Sequence, residues 1–485
     1  MFHDGRFMKA EQIERFLNIC VAITAERDRE QLLSQILDTA MDLADCDAGT
    51  LYLLEEDGLH FCRMVTRSLG IRQGDPGNPV TFPPVPLEDS FVCSYAAMHN
   101  QTISIDDISA NTEFDFTGSI QYDEMTGYKT KSMLVVPMTN DKGEVIGVMQ
   151  LINALGERGV FSKDIELLMT ALASQAAISI TNQQYSAQIS DLLDSLVRAL
   201  SNAIDERSPY TANHTRNMVV LAERFLERVG EKTDLFDKEK RRAFLMSVWL
   251  HDVGKLAVPL EVMDKATRLG DHLEPLMERI RVMGLLNQIA ALDGRLTQEE
   301  LSNRDTEREQ LKEFILKIND GGFLNDEDRR QLEDLSERTY TDENGEDLPW
   351  ITAEELTCLM IPKGTLTGEE RAVIESHVSI TKKILKDVDF PKEFSDVPGW
   401  ASSHHEFING EGYPAHAKGE ELPPETRLLT ILDVFEALTA SDRPYKKPMP
   451  AERALAILDS MVQEGKIDNN ILSMFKESKA WEADQ

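Results

Sequence analysis

The sequence is short of positive charge, and this shortage limits what the protein can bind. Lys and Arg number 51 against 85 Asp and Glu, so the net charge is −34. A chain this acidic would repel the phosphates of nucleic acid, which argues against general nucleic-acid binding. A phosphate-bearing substrate must therefore meet a local reversal of charge, supplied by metal ions and a few placed Lys or Arg side chains.

Cysteines and long apolar runs are also scarce. The five cysteines are odd in number, scattered and free of CxxC spacing, so they indicate reduced cytoplasmic thiols and argue against a disulfide framework or a zinc–thiolate site. No apolar stretch approaches the roughly 18 residues that span a bilayer, and the first residues lack the apolar core of a secretory signal. We expect a cytoplasmic protein with no membrane partner.

What is present is an ordinary globular composition, 41% apolar, spread over 485 residues. Such a length exceeds a single core, so two or three domains are expected. Residues 15–185 alternate helical and strand patterns, with hairpin signals at 56–58 and 140–143, and predict an α+β sensor-like domain. A helical pattern over 163–205 predicts a long connecting helix. From Ser208 onward the almost entirely helical pattern predicts an all-α C-terminal domain.

The connecting helix carries a stripe of residues at mostly alternating spacings of four and three. Its members are Ile178, Asn182, Tyr185, Ile189, Leu192, Leu196 and Ala203. The stripe suits the seam of a parallel dimer, in which Asn182 would set the register. It suits equally a helix that packs on its own domain, so the sequence leaves both interpretations open.

One stretch of the C-terminal half differs from the rest. Residues 266–362 are rich in charged side chains and predict a solvated helical insertion. A loop that begins at Asp342 lacks the glycine at its sixth position and the distal glutamate of a calcium-binding loop, so we do not predict a calcium site there.

Five histidines and two aspartates of the C-terminal half stand on or beside apolar helical patterns. They are His214, His251, Asp252, His377, His404, His405 and Asp433. Each alone is usually a satisfied core or capping residue, but seven within one segment indicate a metal centre. Imidazole and carboxylate without thiolate suit iron, manganese or zinc. Seven ligands suit two metals bridged by a carboxylate, the usual clamp for displacement at phosphorus.

Lys255 follows Asp252 by three residues. It can contact a substrate phosphate or protonate the leaving oxygen, although a solvated lysine at a helix end is the simpler interpretation of that residue taken alone.

The motifs HDVGK (251–255), HHEFINGEGYP (404–414) and DRPYK (442–446) occur in the order of the HD-GYP family, which residues 199–462 resemble. The resemblance implies a helical bundle around two divalent metals, iron or manganese first, with zinc, nickel or magnesium as alternatives. It implies that the seven residues are the ligands and that Asp252 is the bridging carboxylate. It also implies substrate contacts and a catalytic role for Lys255, together with contacts from Gly412, Tyr413, Pro414, Arg443 and Lys446.

The family's activity, and therefore the expected one, is hydrolysis of cyclic-di-GMP to pGpG and on to GMP. The motifs do not separate this substrate from cyclic GMP-AMP. A catalytically silent scaffold that binds cyclic-di-GMP is the alternative from another class, and the resemblance adds diguanylate cyclase domains as partners of the GYP loop.

Three departures from the family pattern bear on these expectations. The family runs directly from HDVGK into the segment that matches KGTLTGEE (363–370), whereas here the insertion separates the two. Tyr210 stands where some members have a metal-binding Glu, which favours two metals over three. The segment ALTASDRPYK has one residue more than the usual spacing, which weakens the assignment of Arg443 and Lys446.

Residues 15–185 resemble a GAF domain, most clearly in YDEMTGYKTKSMLVVPM (122–138) and GEVIGVMQLINALGE (143–157). The resemblance implies a sensory domain that binds a small molecule and joins a homodimer. Asn153 and Phe161 match the pattern of cyclic-nucleotide-binding members, but Ala154 replaces a lysine and Asp164 is displaced. The sequence therefore argues against a cyclic nucleotide as the ligand and does not identify the small molecule that binds.

Overall fold

The computed structural model describes residues 10–483, apart from positions 27, 76 and 237 and segments 209–212, 230–235 and 441–447. The chain forms two compact units, residues Met1–Leu192 and Leu193–Gln485. No described helix is both long and apolar enough to cross a membrane.

The first unit contains a six-stranded antiparallel sheet in the order β3-β2-β1-β6-β5-β4. Its elements are α1 (Ala10–Ala25), α2 (Arg29–Ala44), β1 (Cys46–Glu55), β2 (Gly58–Thr66), β3 (Ile71–Gln73), α3 (Val92–His99), β4 (Ile103–Ile105), α4 (Thr117–Thr126), β5 (Met133–Thr139), β6 (Val145–Ala154) and α5 (Lys163–Asp205). The hairpin between β1 and β2 turns at the Asp57-Gly58 signal. This is the α+β fold that the sequence predicted.

Both faces of the sheet are covered, because side chains alternate along each strand. Leu51 of β1 joins one core with α2 and the first part of α5, while its neighbour Tyr52 joins a second core with α3 and Phe116. The first unit therefore has helices on one face and a short helix with long loops on the other.

Helix α5 extends from Lys163 to Asp205, the bounds that the sequence predicted for the connecting helix. Its first part is buried against the sheet through residues such as Leu172, Ala176 and Ile180. Farther along, the stripe becomes exposed: Tyr185 is 38% exposed, Ile189 60%, Leu192 58% and Leu196 57%. The residues that pack on the sheet are therefore not members of the stripe, and the dimer seam stays a prediction.

The second unit is predominantly helical. Its elements are α6 (His214–Val229), α7 (Lys238–Leu250), α8 (Leu260–Met263), α9 (Leu273–Leu292), α10 (Gln298–Asn319), α11 (Asp326–Ser336), β7 (Thr339–Thr341), β8 (Asp347–Pro349), α12 (Ala353–Leu359), α13 (Gly368–Lys386), α14 (Val397–Ala401), α15 (Pro424–Thr439), α16 (Ala451–Gln463) and α17 (Asn469–Ser478). The main core lies among α6, α7, α15 and α17, where Phe225, Phe244, Phe435 and Phe475 are buried.

The insertion has a core of its own, separate from the main one. Leu276, Ile280, Ile315, Leu332 and Leu359 are among its most buried members. The segment is not wholly helical, because β7 and β8 form a hairpin within it. The expectation of a solvated helical insertion was therefore incomplete. Although the segment is rich in charged residues, it also contains enough apolar residues to form a small core.

The insertion leaves and rejoins the bundle at one place. The Thr365 hydroxyl donates to the carbonyl oxygen of Lys265 at 3.0 Å. Just inside, the buried Arg268 guanidinium donates to the carbonyls of Ile318, Gly322 and Ile361. These bonds hold the first and last segments of the insertion together, so that α13 begins beside the end of α8.

Candidate metal centre

The His251-Asp252 pair lies at the end of the buried helix α7, where the chain turns into a 3-10 turn, Val253–Ala257. Gly254 lets this turn approach α13, because a Cβ atom there would lie 1.9 Å from the carbonyl oxygen of His377. The Gly254 amide donates to the Thr381 hydroxyl at 3.0 Å, and that hydroxyl donates to the His251 carbonyl at 3.0 Å. The turn and α13 are therefore fixed together, which brings His377 to Asp252.

Three of the histidines present the same nitrogen to the centre. In His251, His377 and His404, Nδ1 lies 2.7, 2.6 and 2.8 Å from the carbonyl oxygen three residues earlier. With Nδ1 donating to that carbonyl, Nε2 carries the lone pair that a metal needs. Among the described residues, His251 Nε2 is buried without a hydrogen-bond partner. A buried acceptor without a donor is costly, and a bound cation would satisfy it.

Asp252 lies between two sets of imidazoles. Its Oδ1 is 3.3 Å from His377 Nε2 and 3.8 Å from His404 Nε2. Its Oδ2 is 3.1 Å from His251 Nε2 and 3.7 Å from His214 Nε2. Each carboxylate oxygen thus faces a different pair of nitrogens, an arrangement that suits a carboxylate shared by two ions.

Asp433 of α15 also reaches both sides of the centre. Its Oδ1 is 3.2 Å from His214 Nε2, and its Oδ2 is 3.7 Å from His405 Nδ1. All seven predicted ligands therefore come together in one place. Their donor atoms form three groups in which every atom lies within 4.8 Å of the others: His214 with His251 and Asp433, His251 with Asp252 and His404, and His377 with His404 and His405.

The pKa shifts of Asp252, His404 and His405 favour a bound cation. Burial works against the charged form of Asp252, but His251 and Lys255 outweigh it and hold the pKa of that carboxyl well below its usual range. Burial and the neighbouring His405 lower the pKa of His404, and burial lowers the pKa of His405 to about 4. Ionised carboxylates and neutral imidazoles are the forms in which these residues bind metals.

Glu436 is a part of the site that the sequence analysis did not identify. Its Oε2 lies 2.5 Å from His214 Nδ1, and its Oε1 accepts from the Asn217 amide at 2.9 Å. Burial opposes a charge on His214, but the bonds to Asp433 and Glu436 raise its pKa to about 10. A carboxylate on the far nitrogen of a ligating histidine fixes the ring and makes it a stronger ligand. The available signal was the position of Glu436, three residues after Asp433 on one helix.

Lys255 projects from the 3-10 turn into the same cluster. Its Nζ lies 2.5 Å from Asp252 Oδ2, and its side chain remains 20% exposed. Burial opposes the charge, but Asp252 outweighs it and raises the pKa of Lys255 above its usual value. Lys255 is therefore a cation between the cluster and solvent, not the solvated lysine of the simpler interpretation.

The Gly412-Tyr413-Pro414 loop lies beside His405. The Tyr413 ring is 4.9 Å from the His405 ring, centroid to centroid, at 30°. A Cβ atom at Gly412 would lie 2.3 Å from the Phe407 amide nitrogen, so the loop requires glycine there. The buried Glu406, a second residue that the sequence analysis missed, accepts from the amides of Ala415 at 2.5 Å and Ala417 at 3.0 Å.

Three predicted positions lie outside the described residues. They are Arg443 and Lys446, expected to contact substrate, and Tyr210, expected to replace a third-metal ligand. The predictions about them remain as the sequence left them.

The first unit contains a separate cavity of about 340 Å³ between the sheet and the loops around α4. Aromatic rings such as Phe61, Phe82 and Tyr122 line it, and Gln150 contributes a buried amide. Among the described residues that line it, Asp115 is charged and none is Lys, Arg or His. This cavity can hold a small, mostly apolar molecule.

Two family models match the chain: a GAF domain over residues 28–180 and an HD domain over residues 353–471. The expected pairing of an N-terminal GAF domain with a C-terminal HD domain, and with it the expected fold class, is confirmed. The HD match contains His377, His404, His405 and Asp433, whereas the other three predicted ligands precede it.

Curated relatives match parts of the chain. The 3'3'-cGAMP-specific phosphodiesterase 3 of Vibrio cholerae is 36% identical over 96 residues, 20% of this chain and 20% of the relative. The cyclic di-GMP phosphodiesterase of Thermotoga maritima is 32% identical over 105 residues, 21% of this chain and 27% of the relative. The dual 3',5'-cyclic-AMP and -GMP phosphodiesterase 11A of Takifugu rubripes is 30% identical over 186 residues, 37% of this chain and 20% of the relative. The chain thus spans about a quarter, or less, of the length of these relatives.

Proposed function

We propose that this chain, a GAF domain joined to an HD domain, is a metal-dependent phosphodiesterase of cyclic dinucleotides. One observation carries the proposal: five imidazoles and two carboxylates converge in the second unit, and Asp252 faces nitrogens on both sides. The names of the relatives from Vibrio cholerae and Thermotoga maritima support this substrate class.

The proposed cofactor is two divalent ions per chain, with iron or manganese preferred and zinc, nickel or magnesium as alternatives. The donor set of nitrogen and oxygen without sulfur fits these ions, and the buried His251 Nε2, which accepts no hydrogen bond from the described residues, fits a bound cation. When bound, such ions neutralise charge at the phosphoryl oxygens and lower the pKa of the attacking water.

The protein's own residues bind and orient the substrate around this centre. The charged Lys255 Nζ is close enough to the cluster to contact the scissile phosphate and donate a proton to the leaving oxygen. In doing so it would exchange its bond to Asp252 for one to the substrate. The Tyr413 ring, against His405 and held by the Gly412 and Pro414 turn, offers a flat apolar surface at the edge of the site.

Cyclic-di-GMP, converted to pGpG and on to GMP, is the first candidate substrate, and cyclic GMP-AMP is the second because a relative specific for it is 36% identical in the matched segment. The test is turnover of both dinucleotides by protein loaded with iron or manganese, compared with Asp252→Ala. We expect about two ions per wild-type chain, as a two-metal clamp requires, and no turnover by the variant. Full metal content with no turnover of either substrate would contradict the proposal and favour a signalling scaffold.

We propose the following division of the chain into sensory, connecting and catalytic parts. We propose a sensory GAF domain over 15–185, the connecting helix over 163–205 and a catalytic domain over 199–462 with the insertion 266–362. The cavity near Gln150 would take a small molecule without a phosphate group, since its lining, in the part of the chain that the structure describes, includes no Lys, Arg or His to hold one.

The exposed stripe on α5 suits a homodimer, as in a parallel coiled coil. Light scattering at micromolar concentration tests it, and a monomer at every concentration would contradict it. Contact with diguanylate cyclase domains through the Tyr413 loop stays a prediction, which pull-down with purified cyclase domains would check.

A further inference from the structure

The connecting helix α5 ends at a junction with the catalytic segments of the second unit. The junction consists of Asp205, Arg207 and Ser208, which lie within four residues of the chain. Asp205 and Ser208 are 3% and 0% exposed, respectively. Each of the three bonds to a different segment of the second unit.

Asp205 and Ser208 bond to segments that adjoin the site. Asp205 accepts from the amide of Thr215 at 3.1 Å and from its hydroxyl at 3.0 Å, and Thr215 is the neighbour of His214. The Ser208 hydroxyl bonds to Asp264, which follows α8. The end of α5 is therefore attached both to the helix of one proposed ligand and to the segment that leads to the insertion.

Arg207, the third residue of the junction, bonds to the turn that carries Lys255. Arg207 Nη1 donates to the carbonyls of Lys255 and Leu256, each at 2.7 Å, and Nη2 donates to the carbonyl of Val258 at 3.3 Å. One rigid guanidinium thus closes the last turn of the 3-10 segment. Charge-assisted bonds of this kind are stronger than neutral ones, and the planar fork fixes direction as well as distance.

We propose that Arg207 is a positioning residue: it holds the Lys255 backbone so that Nζ faces the reacting phosphate. This inference rests on the proposed phosphodiesterase function. On the other side of the turn, Gly254 is bonded to Thr381 of α13. With Arg207 in place the turn is bonded on both sides, and loss of Arg207 removes three bonds opposite α13.

The structure supplies a matched control. Arg228, at the end of α6, likewise donates to backbone carbonyls, which among the described residues are those of Ser478, Lys479 and Glu482. It lies 14 residues after His214 on one helix, which corresponds to about 21 Å along the axis. Arg228→Ala therefore removes the same type of bond far from the site.

The experiment is a double-mutant cycle with metal-loaded full-length protein. Arg207→Ala should lower kcat on the cyclic dinucleotide about tenfold or more with a smaller change in KM, since displacement of a reacting group by about 1 Å is this costly. In the Lys255→Met background the same change should add little, because residues that act as a unit are not additive. Arg228→Ala should leave kcat near the wild-type value. Equal fractional losses in both backgrounds would overturn the proposal.

Two further measurements apply if Lys255→Met is too slow to assay or if the wild type does not turn over. Guanidinium chloride at millimolar concentration should partly restore kcat of Arg207→Ala, and no recovery would count against a positioning role. Hydrogen exchange at the Val258 amide, which donates to the Lys255 carbonyl at 3.1 Å, should accelerate in Arg207→Ala and not in Arg228→Ala. Unchanged exchange in Arg207→Ala would refute the role of Arg207 in holding the turn. If exchange accelerates in Arg207→Ala but the wild type is inactive, only the proposed phosphodiesterase activity is refuted.

Discussion

Gly254→Ala should damage the site from within the backbone. The new Cβ would lie 1.9 Å from the His377 carbonyl oxygen and 2.6 Å from the Thr381 amide nitrogen. Both atoms belong to the backbone of α13, so no side chain can rotate away. To reach a normal contact, the turn and α13 must separate by roughly 1 Å or more, which is the behaviour of an overpacked core.

The expected loss of stability follows from two effects. Overpacking in a well-packed interior costs about 1–3 kcal/mol. The bond from the Gly254 amide to the Thr381 hydroxyl, 3.0 Å long, would also lengthen, and a lost hydrogen bond costs about 1 kcal/mol. We therefore expect the C-terminal unit to lose about 2–4 kcal/mol of unfolding free energy. The same movement would separate Asp252 Oδ1 from His377 Nε2, which are 3.3 Å apart. Because both atoms are proposed metal ligands, the metal content should fall as well.

The assay is urea unfolding of metal-free protein followed by tryptophan fluorescence. All four tryptophans lie in the second unit, at 249, 350, 400 and 481, so the signal reports this unit alone. Gly399→Ala is the control, because a Cβ there meets open space on the short helix α14. It should be neutral or stabilise by about 0.5–1 kcal/mol. Wild-type stability and full metal binding in Gly254→Ala would refute the reasoning.

Three other predictions follow from the same structure. Glu436→Gln should weaken metal binding about 10–100-fold, because the side chain bonded to His214 loses its charge. A competition titration with a chelator measures the affinity, and the exposed Glu452→Gln serves as the control. Equal affinities of the two variants would contradict the prediction. Burial lowers the pKa of His405 to about 4 from 6.5, so the unfolded chain takes up that proton first and the metal-free unit should lose stability as pH falls from about 6.5 to about 4. Urea midpoints across this range measure the effect, and a constant midpoint would count against it. Replacement of the insertion, residues 266–362, by a short linker should leave the second unit folded, because the Thr365 hydroxyl already contacts the Lys265 carbonyl. Loss of a cooperative unfolding transition would show otherwise.

The sequence alone predicted the seven residues that the structure brings together and the segments that carry them, but not Glu436 or Glu406. Adjacent pairs such as His251-Asp252 at the end of an apolar helix can be recognised because helix periodicity is local. The bounds of α5 and the hairpin of β1 and β2 were predictable for the same reason: repeat spacing and turn residues determine them within a few positions. The charged pattern of the insertion was informative about its surface, but not about its hairpin or its separate core.

Tertiary structure decided how those segments meet. His214 and Glu436 are 222 residues apart in sequence, and Gly254 and Thr381 are 127 apart. No local pattern encodes such pairs, because they arise only when helices pack and close contacts select small or complementary side chains. The place of Asp252 between two sets of imidazoles, and the three bonds of Arg207, therefore became visible only in the folded chain. Helix α5 shows the same division: the spacing of its apolar residues is a property of the sequence, but only the fold shows that Leu172, Ala176 and Ile180 are buried while Ile189 and Leu196 are exposed.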